Sequence, residues 1–356
     1  MTTDGVGGVW PYSLELSAAL ARHAIDVDLV ALGPALSDAQ RRAAGAIRNV
    51  RLHEASCRLE WMAEPWDDLA ATGEWLLALE ARLRPDIVHL NGYVHGAMPW
   101  RAPRVVVAHS CVLSWWAAVH GCDAPDEWAR YADAVARGLQ GADVVVAPTR
   151  AMAECVVRHY GPPRDLRVIA NGRCGDPFSP APRKDSIIVA AGRLWDEAKN
   201  IQALCAAAPS LSWPVVLAGD DRGPDGRRVT SGSVLHLGML DGQQLCALFA
   251  RAGIFALPAR YEPFGLSPLE AGLSGCALVL GDIRSLREVW GDAAVFVPPD
   301  NRRALVSAIE RLVGDDTFRS EMAARARSRG RRFTADAMAD GYADLYRELG
   351  DERVAA

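Results

Sequence analysis

The chain has 356 residues, half of them hydrophobic and 23% charged, with a formal net charge of −5. That length exceeds what one ordinary core spans, so two domains are expected, and the negative balance argues against a general nucleic-acid binder. MTTDGVGG has no basic and apolar leader character, no apolar run nears the ~20 residues that cross a bilayer, and the eight cysteines form no C-x-x-C pair, so a cytoplasmic protein with reduced thiols is expected.

In chain order, the glycine turn GVGG (5–8) comes first. Pro11 follows where a helix can start, with Tyr12, Leu16 and Leu20 at helical spacing. Strands are expected at 27–32, 86–90, 104–109 and 143–148, with helices at 73–83 and 128–139 between them; 66–77 reads as an ordinary amphipathic helix. The basic cluster Arg41, Arg42, Arg48, Arg51 and Arg58 reads as a solvated surface, or more sharply as a weak membrane-surface contact. DPFSPAPRKD (176–185), rich in Pro and charge, is the expected joint. Beyond it the rhythm repeats: strands at 186–192, 214–219, 234–238, 254–258, 277–281 and 294–298, with a helix at 241–252. A last helix after 334 puts Met338, Tyr342, Leu345, Tyr346 and Leu349 on one face, so it must dock. Short apolar strands alternating with helices imply parallel sheets covered on both faces, with ligands at the carboxyl ends of the strands.

Two stretches carry the chemistry. In AAGRLWDEAKN (190–200) a strand ends at Gly192, and Arg193 and Lys199 follow on the outgoing loop. Two cations there suit a phosphate or diphosphate, and of the 39 basic residues only Lys184 and Lys199 are lysines. In ARYEPFGLSPLEA (259–271) a helix is expected to begin near 265–267, its unpaired N–H groups welcoming an anion. Glu262 before it and Glu270 within it suit the paired hydroxyls of sugar rings. Glu262 also fits plain favourable charge at a helix N-terminus. A D-x-D, Asp26-Val27-Asp28, begins a strand and is read as flanking the sheet, so no metal is expected. Trp10, Tyr93, His95, Ser114, Trp115 and Trp116 fall near strand ends of the first half, as candidate acceptor contacts or as core.

The E-x7-E of ARYEPFGLSPLEA and the Arg…Lys of GRLWDEAKN resemble the signatures of family 4 glycosyltransferases with the GT-B fold, and VIANG (168–172) and GVGG also look familiar. The resemblance implies two tandem doubly wound Rossmann-like α/β domains facing a cleft. Residues 1–178 would bind acceptor, 184–334 would bind donor, and the C-terminal helix 335–356 would pack back on the first domain. It implies a cytoplasmic, metal-independent retaining transfer of a sugar from a nucleotide-diphosphate sugar to an unknown small-molecule, glycan or lipid acceptor. No cofactor beyond that co-substrate is expected, with UDP or GDP ahead of ADP.

By the same resemblance, Glu262 holds donor-sugar hydroxyls and Glu270 the nucleotide ribose. Arg193 and Lys199 neutralise the leaving diphosphate. Backbone amides of Phe264, Gly265 and Leu266 touch sugar and phosphate, and Met239 and Leu240 grip the base. His109 lies beside the reacting sugar, and Gly7 and Gly8 let the loop approach phosphate and acceptor. Three rivals stay open: a retaining glycosidase using the two glutamates, a nucleotide-sugar epimerase on the same fold, and a non-catalytic two-domain sugar binder. One departure stands out. Only MTT precedes Asp4-Gly5, so either the first strand is very short or residues are missing before it.

Overall fold

The computed structural model describes residues 1–223, 232 and 234–355, and the side chains through 351. The chain divides into two units. The first comprises Met1–Ala117, Gly121–Gly172 and Ala335–Ala356; the second comprises Ala118–His120 and Arg173–Thr334. The crossing falls at 172/173, just after VIANG and ahead of the Pro-rich 176–185. The chain returns at 334/335.

The first unit is built on seven parallel strands: β1 (Thr2–Asp4), β2 (Val27–Gly33), β3 (Val50–Ser56), β4 (Val88–Leu90), β5 (Arg104–Val107), β6 (Val144–Ala147) and β7 (Leu166–Val168). They form a sheet ordered β1-β2-β3 and another ordered β4-β5-β6-β7. Asn91, directly after β4, ties the two together: its backbone N–H donates to Thr2 Oγ1 (2.9 Å) and its Nδ2 to the Thr2 carbonyl (2.7 Å). The first strand, β1, has three residues here, which pair in register with Val30–Leu32.

The central strands are apolar throughout because helices cover both faces: Val105–Val107 and Val144–Val146 are all buried. β3 escaped sequence reading because it lies at a sheet edge, its apolar residues interrupted by Arg51, His53 and Glu54, and it shares Arg51 with the basic cluster read as surface. That cluster is largely neutralised in ion pairs. Arg41 meets Asp38 and Glu54, Arg51 meets Asp28, and Arg58 meets Asp68. Asp28, of the D-x-D, also accepts from His53 at 2.9 Å. Desolvation pushes its pKa up, but the His53 and Arg51 hydrogen bonds outweigh that and hold it below the usual range.

The helix Ala335–Ala355 packs against the helix Val9–Leu20 of the same unit, where Tyr12 OH donates to Tyr342 OH at 2.8 Å. Among the described residues, no helix is long and apolar enough to cross a membrane.

The second unit has one six-stranded parallel sheet. Its strands are β8 (Asp185–Ala191), β9 (Val215–Ala218), β10 (Leu235–His236), β11 (Ala252–Leu257), β12 (Ala277–Gly281) and β13 (Val295–Val297). The spatial order is β10-β9-β8-β11-β12-β13, so the connections reverse direction between β8 and β11. In doubly wound sheets ligands settle at that switch point. Both chemistry-bearing stretches leave from it, one after β8 and the other after β11.

Lys184 has a structural task here. Its Nζ donates to the carbonyls of Phe249 (3.2 Å) and Ser274 (2.6 Å), at or just past the C-terminal ends of two helices.

Candidate active site

The outgoing loops of β8 and β11 are stitched together. Arg260 N–H donates to the Ala198 carbonyl at 2.8 Å. Asn200 takes a left-handed backbone (φ 55°), and its Nδ2 donates to Pro258 O (2.9 Å) and Pro299 O (2.8 Å). On this scaffold Lys199 Nζ lies 2.5 Å from Glu262 Oε2, the two side chains being 15% and 13% exposed. Arg193 Nη2 bonds Asp196 Oδ2 at 3.0 Å, while Asp196 Oδ1 accepts from Ala198 N–H at 3.0 Å. The expected cation pair is therefore two cations, each oriented by its own carboxylate. Asp196 and Asn200 were missed from sequence. The signal available was an aspartate three residues after Arg193, in position to cap the turn Glu197–Lys199.

Ser285 Oγ donates to the Glu262 carbonyl at 2.6 Å, fixing the turn that follows. The helix then runs Leu266–Leu273, with Gly265 as its N-cap. Gly265 has φ 94°, and a Cβ there would stand 3.0 Å from Pro268 Cγ and 3.3 Å from Glu262 Cγ. So glycine is demanded by the turn as well as by any ligand approaching it. Gly265, as N-cap, has no side chain to accept from the first amides of this helix, which leaves its N-terminus suited to an anion. Phe264 is buried and stacks edge-on against Phe333.

Glu270 is buried within that helix, and Arg173 Nη2 meets its Oε1 at 3.0 Å. Beyond β10, Met239 is 73% exposed and Leu240 is half-buried. They follow Gly238, whose carbonyl accepts from Gly219 N–H at 2.8 Å at the end of β9.

In the first unit, His109 follows β5. Its Nε2 lies 2.8 Å from Asn91 Oδ1, and because the Asn91 Nδ2 donates to Thr2, the imidazole N–H is the donor and Nδ1 the ring's acceptor. Tyr12 packs edge-on at 4.5 Å between centroids. Burial pushes the His109 pKa down to about 3, so the ring is neutral in ordinary buffers.

Glu60 was not foreseen. Its Oε2 accepts the N–H groups of Tyr93 and Val94, each at 3.0 Å. Desolvation raises its pKa to about 7 against the pull of those two amides, with Asp4 adding to the rise. Gly7 and Gly8 lie exposed in the first turn.

Of the acceptor candidates, Trp10, Tyr93, His95 and Ser114 are buried within this unit. Tyr93 OH donates to Ser110 O at 2.8 Å, His95 Nε2 lies 3.1 Å from Leu69 O, and Ser114 Oγ donates to Cys111 O at 3.1 Å. Trp115, edge-on to Trp116, keeps part of its surface exposed. Large side chains at strand ends fill the space under the loops, the commoner fate of such residues.

Residues 6–173 match the family described as Glycosyltransferase Family 4, and residues 185–315 match Glycosyl transferases group 1. These matches show a glycosyltransferase of the family 4 type.

Among relatives of this glycosyltransferase is a D-inositol 3-phosphate glycosyltransferase of Xylanimonas cellulosilytica. It is 28% identical, over 99% of this chain and 94% of that protein. A glycogen synthase of Mycobacterium tuberculosis is 26% identical, over 93% of this chain and 87% of that one. Its GT-B fold is shared with sucrose-phosphate synthase from Thermosynechococcus elongatus (TM-score 0.78, 20% identity, 98% of both chains). It is shared too with Anabaena HepE in complex with UDP-glucose (TM-score 0.77, 17% identity, 98% of this chain and 99% of that one).

Proposed function

We propose that this glycosyltransferase moves a sugar from a nucleotide-diphosphate sugar to a hydroxyl-bearing acceptor, with retention of anomeric configuration and without a metal ion. The observation that carries the reading is the cluster at the β8/β11 switch point: Lys199 against Glu262, Arg193 against Asp196, and an uncapped helix N-terminus beside them. A departing nucleoside diphosphate gathers negative charge as the sugar carbon becomes cationic. Fixed cations and oriented amides stabilise that charge without reorganising during the reaction. Because each cation is already held by a carboxylate, little orientation remains to be lost when the donor arrives.

Glu262, next to the helix N-terminus, would hold donor-sugar hydroxyls, Glu270 the ribose, and Met239 with Leu240 the base. A sugar hydroxyl could donate to His109 Nδ1 only while the ring is neutral, which its burial supplies. With no placed nucleophile assigned, we propose front-face attack, the leaving phosphate taking the acceptor proton. The complex of a structural neighbour with UDP-glucose supports a nucleotide-sugar donor, and UDP or GDP is proposed ahead of ADP. The acceptor is proposed to bind the first unit.

The test is a thermal-shift screen with UDP, GDP and ADP, followed by transfer assays with the matching donors in EDTA and NMR of the product anomer. One diphosphate should raise the melting temperature, and transfer should continue in chelator with the anomer retained. No shift with any diphosphate would remove the donor assignment; an inverted product would remove the retaining one.

A further inference from the structure

We propose that Arg173, far outside the E-x7-E stretch, is a positioning residue for the nucleotide ribose: its guanidinium sets the Glu270 carboxylate that recognises the 2′- and 3′-hydroxyls. This rests on the assignment of Glu270 to the donor ribose.

A carboxylate inside a short helix ordinarily faces solvent, yet Glu270 is only 7% exposed. Burying that charge unpaired would be costly, so it needs a partner within reach. The partner comes from a residue 97 positions earlier (270 − 173), where the long segment Arg173–Thr334 of the second unit begins. Arg173 Nη2 stands 3.0 Å from Glu270 Oε1, with the two side chains 17% and 10% exposed.

Arg173 is itself anchored. Its backbone N–H donates to the Phe333 carbonyl at 3.0 Å, and it forms a parallel bridge with Thr334, the last residue of the unit. Its guanidinium carbon lies 5.3 Å from the centre of the Phe178 ring. Backbone and side chain are thus both held. A carboxylate offers about four acceptor positions, so an arginine contact that orients it is compatible with further hydrogen bonds to a ligand. The remaining capacity can meet two adjacent hydroxyls in a fixed plane. A loosely held glutamate would first have to be ordered by the ligand.

The experiment is calorimetric titration of wild type, Arg173→Met, Arg173→Lys and Arg173→Met/Glu270→Gln. The probes are UDP and 2′,3′-dideoxy-UDP, or the guanosine pair if GDP binds instead. Wild type should prefer the ribonucleotide by about tenfold or more. Arg173→Met should weaken the ribonucleotide about tenfold and leave the dideoxy compound within twofold. Arg173→Lys, which keeps the charge but lacks the planar fork, should recover part of the preference.

Equal weakening of both nucleotides would mean that Arg173 only supports the fold and would overturn the proposal, as would a preference unchanged in Arg173→Met. Should the lone buried carboxylate keep Arg173→Met from folding, the double variant removes both charges. It should bind the two nucleotides alike, and a surviving preference refutes the role. A wild type that binds the diphosphate without preferring the ribose form overturns the Glu270 assignment and this inference together. A wild type that binds no diphosphate overturns the donor reading itself.

Discussion

Replacing Lys199 by alanine tests the centre of the proposed mechanism. The lysine amine sits against Glu262 with both side chains less than a sixth exposed, so water compensates little for its loss. If the amine meets the departing diphosphate, it is one preorganised donor, and deleting such a donor costs about 2.7–4 kcal/mol, or 10²–10³ in kcat. The fold should suffer less. Glu262 loses its partner but retains some water contact, so the cost is about 1–3 kcal/mol, each kcal/mol lowering Tm by roughly 2–4 °C for a unit of this size.

The assay follows release of the nucleoside diphosphate from the donor, with water or a screened hydroxyl compound as acceptor. Unfolding is measured separately on ligand-free protein. Glu262→Gln should cost a comparable factor, and the double variant little more than the worse single one, because the two side chains act as a unit. Turnover within threefold of wild type in Lys199→Ala would place the amine away from the leaving group and refute the reasoning.

Gly219→Ala should be severely destabilising. The residue has φ 138°, and a Cβ there would fall 1.8 Å from the Gly192 carbonyl oxygen, a backbone atom with no room to yield. A loss above about 3 kcal/mol is expected, more than strained φ alone imposes, and a Tm within 3 °C of wild type would contradict it.

Lys184→Met removes a donor to two helix-end carbonyls and should cost about 1–3 kcal/mol in denaturant unfolding while kcat stays put; a matching fall in kcat would give Lys184 a role in the reaction.

Stability should also depend on pH in a defined way. Burial lowers His89 and His109 from 6.5 to about 3, so their contribution is complete above pH 6.5 and drains as pH falls toward 3. Burial raises Glu60 from 4.5 to about 7, so its contribution is complete below pH 4.5 and is lost as pH rises through 7. Between about pH 6.5 and 4.5 the two effects oppose, leaving a net loss of roughly 1.4 kcal/mol per unit of acidification. Glu60→Gln should about double that slope in chemical unfolding, and an unchanged slope would refute the assignment.

Much of this molecule is written locally. Apolar runs such as Val144–Val146 and Phe255–Leu257 announce buried parallel strands because nothing else can surround them. Arg193, Lys199, Glu262 and Glu270 were legible because strand, glycine and charge fall together in two short stretches. The edge strand β3 and the buried Glu60 were not, since a charged residue in sequence looks the same whether water or two backbone amides will surround it.

What sequence determined, then, was which groups are present and that each lies where a strand ends. That Lys199 meets Glu262, 63 residues away, follows from β8 and β11 becoming neighbours at the switch of sheet order. That Glu270 meets Arg173 follows from the chain's entry segment being clasped to Phe333 and Thr334 as it leaves the unit. Local rules place a charge on the chain; its partner is chosen by long-range strand pairing and by the cost of burying that charge alone.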